Sequence, residues 1–296
     1  MASEVLQRKI KTTQDLRDIV SNMKTLSSVS ILQYEQANTV LDKYQRNLRD
    51  AFQVLAIHNG MPQIKSQKTP NKRHLFVLIG SDNGMVGKFN REVTEKVSDF
   101  IKEQKIAKKD TYFITIGKRL SALAEQAGFN ILNGFATSNS VKAVIDLTET
   151  VLMHIEKAIS KSRITDIYTC CHYRNGSAGI STEMKKILPV ENAALQKLKH
   201  KKWETNNVPM MPVDNELMFK ALTYEMLMIT IARHINSSLS AEHYTRMTNM
   251  QNAEKNIDEN LEEMNLLYQQ QRQEEITNEL IDVISGANAM QEKSKS

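Results

Sequence analysis

The sequence predicts an α/β protein in which a long antiparallel coiled coil of N- and C-terminal helices carries an inserted α/β domain. Three observations predict it. Residues 1–59 contain no glycine and no proline, and neither do residues 213–285. Both runs place apolar residues at alternating spacings of three and four, the seam of a coiled coil. Nine of the ten glycines fall between Gly60 and Gly179, where short apolar runs alternate with helical patterns, as in a mainly parallel sheet with right-handed crossovers. The expected parts are an N-terminal helix over 1–60, an α/β domain over 72–205, a C-terminal helix over 212–288 and a flexible tail over 289–296.

In the first helix the seam is Met23, Ser27, Ser30, Tyr34, Ala37, Leu41, Tyr44, Leu48, Ala51 and Leu55. The breakers Gly60 and Pro62 end it, and residues 61–73 (MPQIKSQKTPNKR) form a polar linker. His74–Ser81 (HLFVLIGS) is a short apolar run that suits a buried strand. Asn90–Lys105 has helical spacing, Thr111–Gly117 (TYFITIG) reads as a second strand and Lys118–Ala127 as a second helix. Val141–Lys161 is a third helix, Ile164–His172 a third strand, and the more polar Ile180–Leu188 a fourth at an edge. Pro212 and Asp214 open the last helix and Gly286 closes it. An unbroken helix over Val213–Ser285 is roughly 110 Å long at 1.5 Å per residue and needs a partner along its length. Its seam is Met247, Met250, Ile257, Leu261, Met264 and Tyr268, with a gap at polar Glu254; the phase slips at Gln271 and Arg272 and resumes at Ile276, Leu280 and Val283. Met, Ala, Ser and Tyr make both seams weaker than a Leu/Ile zipper.

Composition narrows the function. No apolar run approaches the 18 or so residues of a membrane span, and the N-terminus MASEVLQRKIK has no signal-peptide core. Cys170 and Cys171 are the only cysteines. Strand neighbours point to opposite faces, so they read as buried thiols in a reducing compartment rather than as a disulfide. The net charge of +5 is uneven: residues 242–296 carry eleven acids and five bases, residues 1–58 six and eight, and the middle holds the excess of positive charge. Six lysines fall between Lys185 and Lys202, but apart from Trp203 no aromatic residue interleaves with them, so a solvated or protein-facing surface is expected and nucleic acid is not.

Little in the chain reads as chemistry. The loop Gly80–Asn90 (GSDNGMVGKFN) follows a strand and opens a helix, where a Rossmann-like domain holds phosphate. Gly80, Gly84 and Gly87 do not make that fingerprint, nor a P-loop. The competing reading is a structural turn in which Asp82 or Asn83 hydrogen-bonds the backbone. The seven histidines are scattered without metal-ligand spacing, and no nucleophile motif is present. No catalytic residue, metal or cofactor is expected, and the residues describe a mechanical or scaffolding protein.

Several segments carry a family resemblance. They are Glu242–Met250 (EHYTRMTNM) with Ala253 and Asn256, Tyr268–Ala289 (YQQQRQEEITNELIDVISGANA), Arg8–Lys24 ending in Asn22-Met23-Lys24, Ser81–Asn90, and Leu198–Trp203 (LKHKKW). Together they resemble the gamma subunit, the central rotor shaft, of bacterial-type rotary F-type ATP synthases, over nearly the whole chain. The resemblance implies a coiled coil standing inside a ring of three alpha and three beta subunits, whose rotation drives the beta sites in turn through open, loose and tight states. Proton or sodium flow is then coupled to ATP synthesis or hydrolysis on the beta subunits. It implies beta-subunit contacts at Met23, Lys24, Arg272, Gln273 and Thr277, and contacts of the foot with the epsilon subunit or the c-subunit ring at Lys199, Lys201, Lys202 and Trp203. It places the chain at the cytoplasmic face of a bacterial plasma membrane, held there only through the complex.

The chain departs from the family pattern at Val86-Gly87-Lys88, at Ser27-Ser28-Val29-Ser30 and at Glu204-Thr205-Asn206-Asn207. These departures point to a divergent branch. Two alternatives stay open: a gamma-like coiled-coil scaffold in a specialised, non-housekeeping ATPase, and a stand-alone nucleotide-binding α/β protein.

Overall fold

Residues 2–58, 72–175, 179–189, 203, 207, 209–210 and 214–293 are described in the computed structural model of the chain. The middle is built around β1 (His74–Ile79), whose residues point alternately to the two faces of a sheet. Leu75, Val77 and Ile79 enter one core with Val144, Val151, Leu152 and Ile155 of α4 (Val141–Ser162). Phe76 and Leu78 enter another with Val93 and Val97 of α2 (Phe89–Glu103) and Leu120 of α3 (Lys118–Gln126). A strand buried on both faces explains why HLFVLI is a continuous apolar run.

The sheet has five strands, in the order β3-β2-β1-β4-β5. β2 (Thr111–Ile116) and β4 (Asp166–Arg174) flank β1 in parallel, and β5 (Ile180–Leu188) closes one edge antiparallel to β4. The other edge is β3 (Ile131–Phe135), parallel to β2, a strand the sequence reading left out. Its segment ILNGF lacks alternation and is nowhere fully buried. Pairing to β2 makes it a strand, with Gly134 where a Cβ would come within 3.2 Å of the Ser121 and Thr115 hydroxyls. Cys170 lies in the core beside Phe76 and Cys171 in the core beside Leu75; both are free thiols. Burial pushes the Cys171 thiol up to about 12, far from a reactive thiolate.

The terminal helices are α1 (Ala2–Ile57) and α5 (Asn215–Lys293). The Asp214 carboxylate caps α5 by accepting from the backbone N–H groups of Glu216 and Leu217 at 3.0 and 3.4 Å. The expected stop at Gly286 does not occur, and the helix runs through it to Lys293. A single glycine costs a helix about 1 kcal/mol relative to alanine, too little to end 79 residues. Residues 289–293 of the expected flexible tail are therefore helical, and 294–296 lie outside the described residues.

The chain divides into two units. In the unit of residues 28–246, Ile231, Ala232, Ile235 and Leu239 of α5 and Tyr34 of α1 join the sheet core on the Leu75 face. Leu48, Phe52 and Leu55 of α1 pack on Leu222 and Ile229 of α5. The Asn236 amide donates to the Tyr34 carbonyl at 2.7 Å and to Asn38 Oδ1 at 2.9 Å, and Arg233 pairs with Asp42 at 2.6 Å. In the unit of residues 1–27 and 247–296, Ser3 donates to Glu275 at 2.7 Å, Arg17 pairs with Asp258 at 2.5 Å, and Lys24 pairs with Glu254. In each unit partner numbers fall on α5 as they rise on α1, so the helices are antiparallel. Of the α1 seam, only Tyr44 is exposed. The α5 seam is buried or half-buried from Met247 to Tyr268, but Ile276, Leu280 and Val283 are exposed, contrary to the spacing. The reason is length: Ser3 already lies opposite Glu275, so α1 ends there.

The buried imidazoles serve structure. His172 Nε2 donates to the Phe89 carbonyl at 2.8 Å, leaving Nδ1 to accept from the Thr182 hydroxyl at 3.0 Å. His234 Nδ1 lies 2.8 Å from the Thr169 hydroxyl, and burial holds this imidazole down at about 3. His243 stacks on Tyr34 and is held down at about 4, again by burial. Below the unfolded value of 6.5 the unfolded chain binds protons that the folded chain refuses, so stability falls as pH falls. Each of these two groups removes about 2 kcal/mol between pH 7 and 5. Glu242 works in the opposite sense, its buried carboxyl being pushed up. Urea unfolding of the full chain is expected to show a lower midpoint at pH 5 than at pH 7, and His234→Gln to flatten that difference.

Candidate functional site

A functional surface of this chain has to be sought where side chains are left for a partner. α1 ends opposite Glu275, and beyond it α5 continues alone with Ile276, Leu280, Ile281, Val283 and Ile284 exposed. A contiguous aliphatic surface of this kind marks a protein contact. Beside it stand Arg272, Gln273 and Thr277, all exposed. The Thr277 hydroxyl donates to the Gln273 carbonyl at 2.8 Å, so its oxygen is left to accept. Among the described residues Arg272 has no carboxylate partner, and its planar guanidinium can take one bidentately. The structure thus gathers these three predicted residues on the bare end of α5.

Met23 and Lys24 form a separate patch. Both are half-buried, and Lys24 pairs with Glu254, whose carboxyl that hydrogen bond holds below the usual range. Glu254 and Arg272 are 18 residues apart on one helix, roughly 27 Å at 1.5 Å per residue. Between the patches runs an open groove of about 660 Å³ lined by Gln7, Arg8, Lys11, Gln14, Asn265 and Tyr268. Its lining mixes these polar and charged side chains with the buried Ile10 and the Tyr268 ring. Of the predicted foot contacts, Trp203 is half-buried, and Lys199, Lys201 and Lys202 lie outside the described residues.

The loop after β1 is closed by its own chain. The Ser81 backbone N–H donates to Asn90 Oδ1 at 2.8 Å, and the Asn90 amide donates to the Ser81 hydroxyl at 2.9 Å. The Asp82 carboxylate accepts from the backbone N–H of Lys118 at 2.7 Å and of Thr137 at 3.0 Å, tying the starts of α3 and of the segment after β3. A Cβ on Gly80 would fall 2.4 Å from Asn90 Oδ1, so only glycine fits there. This is the turn in which Asp82 hydrogen-bonds the backbone, although its partners are 36 and 55 residues away. On its outer side a depression of about 360 Å³ is lined by Met85, Lys88, Arg91 and Arg119, and is cationic. Among the described residues no three metal-ligating side chains come together, and no helix is long and apolar enough to cross a membrane.

The sequence reading missed the bare aliphatic end of α5, because it continued the seam through it. Spacing alone does not show that α1 reaches only as far as Glu275. It also missed the buried pair of Glu242 and Arg246 at 2.5 Å, which i,i+4 spacing announces. Asp82→Ala removes two charge-assisted hydrogen bonds to backbone donors, a loss of about 2 to 3 kcal/mol, with Asp82→Asn intermediate. Thermal unfolding of the full chain checks this ranking.

The chain matches a family model described as ATP synthase over residues 3–290. It is 26% identical over 293 residues to the ATP synthase gamma chain of Sulfurihydrogenibium sp. (strain YO3AOP1), covering 96% of this chain and 97% of that one. It is 24% identical over 287 residues to the ATP synthase gamma chain of Persephonella marina, covering 97% of each. Among solved structures it is similar in fold to a chain of the Euglena gracilis mitochondrial ATP synthase in rotational state 3, with a TM-score of 0.66, 17% identity, and coverage of 100% of this chain and 96% of that one.

Proposed function

Because the chain belongs to the ATP synthase family, and within it to the gamma chains, we propose that its paired helices turn inside a ring of three alpha and three beta subunits and couple ion flow to ATP synthesis or hydrolysis. A gamma chain is a non-catalytic component of the central stalk of a membrane-associated complex. The bond to the terminal phosphate is made or broken on the beta subunits, and this chain supplies mechanical asymmetry. The sheet domain is the foot, and with the segment containing Lys199, Lys201, Lys202 and Trp203 it meets the epsilon subunit and the c-subunit ring. The complex sits at the cytoplasmic face of a bacterial plasma membrane, and the modest identity to curated relatives supports a divergent branch.

The observation that carries this reading is the bare end of α5. An aliphatic surface in water needs a sleeve, and Arg272, Gln273 and Thr277 at its base supply directional contacts to a beta-subunit loop. Met23 and Lys24 supply a second contact lower on the coil. Lys24 has three donors, so a partner carboxylate shares it with Glu254. Between the patches, exposed Gln7, Arg8, Lys11 and Asn265 suit a surface that must slide past its sleeve. Met, Ser and small side chains suit it for the same reason.

Co-expression with the alpha and beta subunits of the same complex, followed by mass and ATPase measurement, tests the reading. One copy of this chain with three of each partner, and turnover that depends on it, is expected. A chain that stays alone, or joins without changing turnover, overturns it. Arg272→Ala removes a charged hydrogen bond worth about 1.5 to 3 kcal/mol, and coupled turnover should fall roughly tenfold with the fold intact. Unchanged turnover removes Arg272 from the contact.

A further inference from the structure

The outer side of the loop after β1 brings together cations from three elements. Lys88 ends the loop, Arg91 stands on the first turn of α2 and Arg119 on the first turn of α3. All three are exposed, and all three line the depression of about 360 Å³. No carboxylate lines it, and among the described residues none of the three cations has a carboxylate partner. The two carboxylates beside it in the sequence are engaged elsewhere. Asp82 accepts from the backbone of Lys118 and Thr137, and Glu92 faces the His172 ring at 4.0 Å. Arg119 has a defined seat. A Cβ on Gly84 would lie 3.0 Å from Arg119 Cζ and 3.1 and 3.2 Å from its two Nη atoms. Such nearly equal distances mean that the guanidinium plane lies flat over the glycine. Its N–H groups lie in that plane, so they point along the loop surface and not into it.

Stability of the elements does not account for this placement. Cations in the first turn of a helix oppose its dipole, so Arg91 and Arg119 gain nothing from α2 and α3. Like charges around one depression also repel one another. A ligand with several negative charges reverses both effects. The guanidinium fork matches two oxygens of a phosphate, and lysine serves phosphate as a compact charge. The volume is at the small end for a ligand site and suits a phosphate or a diphosphate. Val86, Ala122 and Leu123 complete the lining with apolar surface.

We propose that this depression is an anion site for a small phosphate-bearing ligand, held by Arg119 as a bidentate donor and by Arg91 and Lys88 as further cations. The site belongs to the chain alone and goes beyond the function proposed above. A phosphate held there ties the loop after β1 to α2 and α3. That loop also touches the long helix, because Val86 and Phe89 pack on Ala241 of α5. The ligand therefore stiffens the corner at which the sheet domain meets α5.

Isothermal titration of the full chain with pyrophosphate is expected to show one saturable site per chain at about 0.15 M salt. Arg119→Gln and Arg91→Gln should each weaken binding roughly tenfold, with the melting temperature of the free chain unchanged or raised. Gly84→Ala keeps the net charge but pushes the guanidinium off its seat, so it should weaken binding as well. Lys108→Gln with Lys109→Gln removes two exposed charges at the opposite end of β2 and should leave binding unchanged. Absence of saturable binding overturns the proposal. So does equal weakening by the Lys108 and Lys109 pair, which would leave only a diffuse positive field. ADP separates the sources of the phosphate. Affinity no higher than for pyrophosphate assigns recognition to the phosphates alone, and affinity roughly tenfold higher assigns a nucleotide whose base lies on Ala122 and Leu123. Tighter binding of polyglutamate than of pyrophosphate overturns the proposal in favour of an acidic protein segment.

Discussion

A helix of 79 residues exposes far more apolar side chain than its own backbone can shelter, and α1 is what shelters it. The two helices come from opposite ends of the sequence, so neither is complete until everything between them has been made. In the unit of residues 28–246 this dependence extends to the sheet, because Tyr34 of α1 and Ile231, Ala232, Ile235 and Leu239 of α5 belong to the core that covers Leu75, Val77 and Ile79. Together with α4 the two helices cover one of the two faces of the sheet. The antiparallel pairing in the other unit rests on thinner apolar contact, with Ile10, Met250 and Leu261 as its buried aliphatic residues. There, cross-helix polar ties take a larger share in holding the partners together.

Groups that perform chemistry in other proteins are here fixed in place. Both thiols are buried on opposite faces of one strand. The rings of His172 and His234 sit in the interior with hydroxyl or carbonyl partners, and Glu242 faces Arg246 away from water. The loop after β1 has the position of a phosphate cradle, but Asn90 and Asp82 occupy its donors and those of neighbouring turns. Each of these groups would be costly to move, and none is aimed at an empty space. What remains for partners is the outer surface of the helices and the cationic side of that loop.

Most of this was legible before any coordinates. Periodicity and the placement of glycine found both long helices, their seam as far as Tyr268, the parallel strands β1, β2 and β4, and β5 as a strand at an edge; that β5 runs antiparallel came from the structure. What escaped had one of two physical causes. β3 escaped because ILNGF carries almost no local preference and becomes a strand only by pairing to β2. The bare end of α5, the continuation through Gly286 and the role of Glu254 escaped because each depends on what lies opposite. Spacing shows that a helix has an apolar face, and not where its partner stops. Likewise the gap in the seam at Glu254 looked like a fault until Lys24 was found facing it. The contact residues Arg272, Gln273 and Thr277 were legible only through resemblance, since an exposed arginine on a helix is unremarkable by itself.

The bare end of α5 also has a meaning for the cell that makes this chain. Ile276, Leu280, Ile281, Val283 and Ile284 stand in water on any copy that has not joined a complex. Such a copy is a target for chaperones and proteases and a seed for clumping with its own kind. Production therefore has to be matched to that of whatever covers the helix end: a shortage leaves complexes unfinished, and a surplus is itself a burden on quality control.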